Sequence, residues 1–133
     1  MPTARAKQIN LDVTAYYHCY IRCVRKGYLF GTGENNKNYD HRKAWVIERL
    51  RYLAKGFAID ICGYAIMSNH YHLVLRVNKE QAKTWDSEEV NQRWKWVLNR
   101  KTELPSASDE EIERRRNNLF NISWFMRFLN EYI

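Results

Sequence analysis

The sequence predicts an α+β domain in which helices pack on an antiparallel sheet. Three segments show the alternation or the short apolar runs of strands, and two of them are separated only by a turn dipeptide. Most other segments place apolar residues at helical spacing. Because 133 residues are enough for one hydrophobic core, we expect these elements to form a single domain.

The first predicted strand runs from Tyr16 to Val24. Because strand side chains alternate, one face carries Tyr17, Cys19, Ile21 and Cys23, and the other carries Tyr16, His18, Tyr20 and Arg22. A loop rich in glycine and asparagine follows at residues 31–39.

The first predicted helix begins after Asp40, its expected N-cap, and runs to about Lys55, where Gly56 suits its end. Its apolar stripe consists of Val46, Ile47, Leu50, Leu53 and Ala54.

Two further strands are predicted to form a hairpin. Phe57 to Met67 is a short apolar run, Ser68-Asn69 suits a tight turn, and His70 to Val77 alternates. His70 and His72 therefore project from one face of the last strand. The opposite face consists of Tyr71, Leu73, Leu75 and Val77.

Three helices are predicted after the hairpin. The first opens on the capping pair Asp86 and Glu89, and Pro105 interrupts the chain after it. The second opens at Ser108, and its charged residues, including the run Arg114-Arg115-Arg116, are interpreted as a solvated face. The last helix runs from about Asn121 to the chain end. Its apolar stripe consists of Ile122, Phe125, Met126, Leu129 and Ile133. This order of elements favours a ferredoxin-like arrangement.

Bulk properties favour a polyanionic partner in the cytoplasm. The formal net charge is +7, which makes nucleic acid the first candidate, although a merely basic surface is the alternative. No apolar stretch approaches the roughly 20 residues of a membrane span, and Met1 to Asn10 lacks a signal core. The three cysteines have no framework spacing, so we expect reduced thiols. Residues 1–14 are interpreted as a basic N-terminal arm and residues 15–133 as the folded domain.

The pair His70 and His72 is the clearest candidate for chemistry. Two neutral imidazoles on one strand can bind a divalent metal, although ordinary hydrogen-bonded histidines would show the same spacing. His18 lies on the outer face of the first strand and could ligate the metal or hydrogen-bond to a ligand, if it is not simply a strand histidine. Asp60 and Glu131 are further oxygen donors.

The segment Met67 to Leu75, M-S-N-H-Y-H-L-V-L, resembles the "M-P-N-H-x-H-L-L-L" signature of the single-tyrosine HUH transposases. It is most similar to that of REP-associated tyrosine transposases and their insertion-sequence relatives, with Ser68 where the family usually has proline. Tyr17-His18, with Arg22, resembles the first strand of the family, and residues 123–133 resemble its catalytic helix. The resemblance extends from about Ala15 to Ile133.

This resemblance implies a ferredoxin-like HUH endonuclease domain that acts in DNA transposition and recombination. His70 and His72 would hold Mg²⁺ or Mn²⁺ at a scissile phosphate of single-stranded or hairpin DNA, and Tyr132 would form a 5′-phosphotyrosine intermediate. The protein would then be cytoplasmic and associate with the nucleoid when bound to DNA. Candidate DNA-binding residues are Arg22, Arg25, Lys26, Arg42, Lys43, Arg93 and Lys95.

Two other functions stay open at this stage. The family's catalytic helix continues beyond the position of Ile133, and in some relatives a later polar residue completes the metal shell. We therefore expect a shortened C-terminal helix, which makes an inactive DNA-binding module of the same fold the main alternative. A metal-dependent hydrolase unrelated to DNA is the third, and the positive charge disfavours it. Relatives occur as monomers and as dimers that exchange helices, so a homodimer is also left open.

Overall fold

The computed structural model describes residue 11, residues 14–22 and residues 36–132; for residues 36–42 and 132 it describes the backbone alone. The elements are β1 (Tyr16–Arg22), α1 (Asn36–Gly56), β2 (Ile59–Ile66), β3 (His70–Val77), α2 (Lys79–Thr84), α3 (Ser87–Leu98), α4 (Asp109–Asn118) and α5 (Ile122–Tyr132). Within this described part, three antiparallel strands and five helices confirm the predicted α+β class.

β3 is the central strand of the sheet, whose order is β1-β3-β2. The predicted hairpin of β2 and β3 is confirmed, and the turn is closed by a hydrogen bond of 2.8 Å from the Met67 amide to the His70 carbonyl. β1 lies on the other side of β3, with Tyr20 opposite His72 and Arg22 opposite His70. A bulge between Ile61 and Gly63 shifts the register of β2.

The hydrophobic core lies on one face of this sheet. Tyr71, Leu73 and Leu75 of β3 are almost fully buried there. They share the core with residues from the apolar stripes of α1 and α5, which are Val46, Leu50, Leu53, Phe125, Met126 and Leu129. The helical stripes predicted from spacing are thus confirmed at these positions, and Ile133 lies outside the described residues.

The opposite side of the sheet, here called the open face, remains accessible. It consists of Tyr16, His18, Tyr20 and Arg22 of β1, His70, His72, Val74 and Arg76 of β3, and Asp60, Gly63 and Ala65 of β2. Tyr16, Tyr20 and Val74 are all exposed on it, so the described helices leave this face uncovered. One face of the sheet therefore carries the packed core, and the other carries the exposed polar and aromatic side chains.

The predicted N-caps of α3 and α4 are confirmed. The Asp86 carboxylate accepts a hydrogen bond of 2.8 Å from the Glu89 amide, and the Ser108 hydroxyl accepts one of 3.2 Å from the Glu111 amide. Each side chain satisfies an amide that the first helical turn leaves without a backbone partner. Asn99 ends α3 in the left-handed region, with φ of 55°.

Three expectations about the helices were wrong, and one helix was not predicted. α1 begins at Asn36, so Asp40 lies inside the helix and residues 36–39 of the predicted loop are helical; these residues include no proline or glycine that would oppose the earlier start. α2 was not predicted, and the Asn78 side chain caps its first turn. The charged run on α4 is only partly solvated.

Arg115 and Arg116 of α4 are largely buried, whereas Arg114 is exposed. The Arg115 guanidinium donates to Asn91 Oδ1 at 2.8 Å. The Arg116 guanidinium donates to the carbonyls of Ala82 and Trp85, at the end of α2. Both cations therefore tie α4 to neighbouring helices, a tertiary role that charge patterning along one helix cannot indicate.

Candidate functional site

The pairing of β1 with β3 brings three histidines together on the open face. His18 Nε2 and His72 Nδ1 are 2.9 Å apart, and their rings stack with centroids 5.1 Å apart. The rings of His70 and His72 are 5.3 Å apart and nearly perpendicular. The predicted common face of His70 and His72 is thus confirmed, and His18 joins them from the neighbouring strand.

The hydrogen bond of His70 fixes which of its nitrogens can bind a ligand. Its Nδ1 lies 2.8 Å from Oδ1 of Asn69, the second residue of the hairpin turn. Because an amide oxygen can only accept, Nδ1 carries the proton and Nε2 carries the lone pair. A histidine that donates through one nitrogen to an oxygen is oriented to ligate through the other.

The hydrogen bond between His18 and His72 can likewise determine which nitrogen of His72 carries the lone pair. Either nitrogen can donate in this contact, because each neutral imidazole has one donor and one acceptor. When His72 Nδ1 donates to His18, the lone pair of His72 lies on Nε2, as in His70. His18 is then a hydrogen-bond partner of a ligand, which is one of the two roles predicted for it.

Tyr20 contacts both histidines of the strand pair. Its ring centroid lies 5.4 Å from that of His70 and 5.1 Å from that of His72, while the side chain remains exposed. Arg22, also exposed, lies directly opposite His70. Alternation along β1 predicts Tyr20 on this face but assigns it no role, because the β1–β3 register that brings it to the histidines is a long-range feature.

A metal ion bound on the open face would have His70 and His72 as its candidate protein ligands. Among the described residues, no group of three or more histidine, cysteine, aspartate or glutamate side chains lies close enough to hold a metal. Asp60 is ion-paired with Arg76 at 3.5 Å and Glu131 with Arg127 at 3.1 Å. His70 and His72 alone would leave the other coordination positions to water or to phosphate oxygens, as is usual for Mg²⁺.

Tyr132 is the last residue of α5, and its side chain lies outside the described residues. The helix itself packs on the core side of the sheet through Phe125, Met126 and Leu129. Near its end, Asn130 Oδ1 accepts a hydrogen bond of 2.8 Å from the hydroxyl of Tyr71, the residue between the two histidines. The end of α5 thus lies beside the same strand segment, against the face opposite the histidines.

The predicted DNA-binding cations fall into different environments. Arg22 is exposed on the open face, and Lys43 is half-buried on α1. Arg93 stacks 3.9 Å from the Trp85 ring centre and donates to the carbonyls of Lys55 and Gly56, and Lys95 bonds to Glu103 at 2.6 Å. The charged groups of Arg93 and Lys95 are thus engaged by contacts within the chain. DNA contacts of these two residues stay predictions. The side chains of Arg25, Lys26 and Arg42 lie outside the described residues.

Comparison of the chain with protein-family models, with curated proteins and with solved structures found no match. None of the helices in the described part of the chain is long and apolar enough to cross a membrane.

Proposed function

We propose that this chain cleaves and rejoins single-stranded or hairpin DNA through a tyrosine, with a divalent metal at His70 and His72, as in HUH transposases. The observation that carries the proposal is the arrangement of Nδ1 partners. Asn69 and His18 engage this atom of His70 and His72 respectively, so both rings can offer Nε2 on the same face.

His70 and His72 would hold the metal, and Mn²⁺ suits them better than Mg²⁺, which prefers oxygen ligands and retains its waters. When bound, the metal supplies Lewis-acid stabilisation of charge on a phosphate oxygen. Arg22, opposite His70, would attract the flanking phosphates of the strand. Asn69 and His18 would hold the two imidazoles in the tautomers that ligation needs.

The covalent step is a transesterification. The tyrosine hydroxyl oxygen forms a bond to phosphorus while the bond between phosphorus and the 3′-oxygen breaks. The phenolic proton ends on the released 3′-hydroxyl, so atoms and charge balance without a co-reactant. Because the phosphotyrosine ester conserves the bond energy, a 3′-hydroxyl can attack it and rejoin the strand. Tyr132 is the proposed nucleophile, by resemblance to the family's catalytic helix.

Two further features support this assignment. The order strand, helix, strand, strand, with β1 and β2 flanking β3, is the order expected for the first four elements of a ferredoxin-like βαββαβ unit. The net charge of +7 favours a nucleic acid over a neutral substrate. A cytoplasmic protein with this charge would associate with the nucleoid when bound to DNA. Both features favour the proposal of a DNA enzyme over that of a small-molecule hydrolase.

Formation of a covalent adduct tests the proposal. The protein is incubated with 5′- and 3′-labelled hairpin DNA and Mn²⁺, and a denaturing gel is used to detect labelled protein. We expect an adduct that EDTA abolishes and whose yield His72→Ala lowers by about a hundredfold or more. Tyr132→Phe should also abolish it, whereas Tyr64→Phe, which removes an exposed hydroxyl from β2, should not.

The comparison of two phenols sharpens this experiment. Tyr20 lies on the histidine face, whereas α5 packs on the other one. An adduct that survives Tyr132→Phe and disappears in Tyr20→Phe would contradict the assignment of the nucleophile while keeping the enzyme. DNA binding with no adduct under any metal would contradict the enzyme altogether.

The second candidate function is a catalytically inactive DNA-binding module of the same fold. The observation that favours it is that α5 packs on the face of the sheet opposite the histidines. In that case the wild-type protein and His72→Ala would bind the hairpin equally and neither would form an adduct.

A homodimer that exchanges α5 would instead bring a tyrosine from the partner. A mixture of the His72→Ala and Tyr132→Phe variants would then recover adduct formation, although neither variant forms the adduct alone.

A further inference from the structure

The open face carries two exposed tyrosine rings outside the metal-binding pair. Tyr16 is 57% exposed and Tyr20 is 54% exposed, although both belong to a strand within the folded sheet. They lie four residues apart on β1, which corresponds to about 13 Å along a strand. That distance is too long for one base to cover both rings, so each ring can stack with a separate base.

Each ring has an arginine beside it on the same face. The Arg76 guanidinium carbon lies 5.9 Å from the centre of the Tyr16 ring, and Arg22 follows Tyr20 at the next outward position of β1. Arg76 is also ion-paired with Asp60 at 3.5 Å, but both side chains are about half exposed. An exposed pair of this kind is weak, so a phosphate can compete for the guanidinium.

The chemistry of the open face suits a nucleic acid better than a protein partner. Its aliphatic members are Val74 and Ala65, and its other members are aromatic, cationic or histidine side chains, apart from Asp60 and Gly63. A second layer of helices would require an apolar surface there. Aromatic rings alternating with cations are what proteins use to bind unpaired bases and their phosphates.

We propose that the open face is a binding track for single-stranded nucleic acid, with one base stacked on Tyr20, a second on Tyr16, and Arg22 and Arg76 at the phosphates. The track deepens the proposed function, on which it rests for its substrate class. It runs along β1 from the histidines to the opposite end of the sheet. Base stacking makes it tolerant of sequence and selective for unpaired strands.

Binding in the absence of metal tests the track separately from catalysis. Fluorescence anisotropy of a short fluorescein-labelled oligothymidylate is measured in EDTA with the full chain. We expect Tyr16→Leu and Tyr20→Leu to weaken binding about tenfold each, since a stacked base typically contributes a factor of that order. Tyr16→Phe and Tyr20→Phe, which keep the ring, should bind within about twofold of the wild type.

Tyr64→Leu is the matched control, because Tyr64 is 46% exposed on β2 but pairs with Leu73, on the other face of the sheet. It should leave binding unchanged, and unlabelled duplex should compete poorly with the oligothymidylate. Thermal melts of all variants verify that the fold is intact. Unchanged binding in both leucine variants, or an equal loss in Tyr64→Leu, overturns the track. So does sedimentation as a dimer that Tyr16→Leu dissociates, because a second copy would then cover the face.

The two proposals fail in different ways. If no adduct forms but binding depends on the Tyr16 and Tyr20 rings, the strand-transfer function fails and the track stands. If an adduct forms and both leucine variants bind and react like the wild type, the track fails and the function stands.

Discussion

At the scale of single residues, Asn69 has two roles that coincide in one position. It is the second residue of the turn between β2 and β3, where asparagine is favoured because it tolerates sharp backbone bends. Its side chain also accepts the proton of His70 Nδ1 at 2.8 Å. A turn residue therefore orients the first candidate metal ligand, while His18 contacts the second from a different strand.

Replacing Asn69 should weaken metal binding without touching a ligand. Asn69→Ala removes the acceptor for His70 Nδ1, so the ring loses its fixed tautomer, and we expect about a tenfold loss of Mn²⁺ affinity. Asn69→Asp, which keeps an accepting oxygen, should retain the affinity. Titration of Mn²⁺ followed by electron paramagnetic resonance measures both. Equal affinities for the wild type and Asn69→Ala would show that this hydrogen bond does not support a metal site.

At the scale of elements, local signals were predictable and tertiary ones were not. The β2–β3 hairpin and the caps at Asp86 and Ser108 depend on residues within a few positions of one another, and all three are confirmed. The common face of His70 and His72 follows from alternation alone. The contact of His18 with His72 needs the register of β1 on β3, and the burial of Arg115 needs the packing of α4, so neither is readable from spacing.

Close packing of α1 against α3 should make Gly56 hard to replace. A Cβ at this position would overlap the Cγ1 atom of Val97, which is buried, and would lie 3.1 Å from the Trp96 ring. We expect Gly56→Ala to lower the free energy of unfolding by about 1–3 kcal/mol, the usual cost of overpacking. Urea denaturation measures the change.

Gly63→Ala on β2 is the control for this experiment, because a Cβ there meets nothing within 4 Å. It should change the free energy of unfolding by less than about 0.5 kcal/mol or stabilise the strand slightly. If both alanine variants lose the same stability, backbone flexibility rather than the contact with α3 explains the glycine at position 56.

At the scale of the whole molecule, the sheet separates a packed side from an accessible side. Helices α1 and α5 share a core with one face of the sheet, and the open face keeps its histidines, tyrosines and arginines accessible. The net charge of +7 does not measure the cations available to DNA, since contacts within the chain hold Arg93 and Arg116. Which arginines contribute to binding depends on the fold, which composition does not reveal.

The salt dependence of DNA binding should separate arginines that face the strand from those that hold the fold. Each phosphate contact on a single strand releases counterions and adds about 0.7 to the slope of log K against log salt concentration. We therefore expect Arg22→Gln to reduce the slope for oligothymidylate by about 0.7. Arg93→Gln should leave the slope unchanged, because the Arg93 guanidinium stacks on Trp85 and bonds to backbone carbonyls.

The same two variants should show the opposite order in their effects on stability, with Arg93→Gln more destabilising than Arg22→Gln. Arg93→Gln removes hydrogen bonds from the carbonyls of Lys55 and Gly56 at the end of α1, and we expect it to cost about 1–3 kcal/mol of unfolding free energy. Arg22→Gln, at an exposed position, should cost less than about 0.5 kcal/mol. A reduced slope in Arg93→Gln with an unaltered melt would instead return Arg93 to the DNA interface that the sequence predicted. The bound DNA would then extend to the helical side of the sheet, because Arg93 lies on α3 and binds the end of α1.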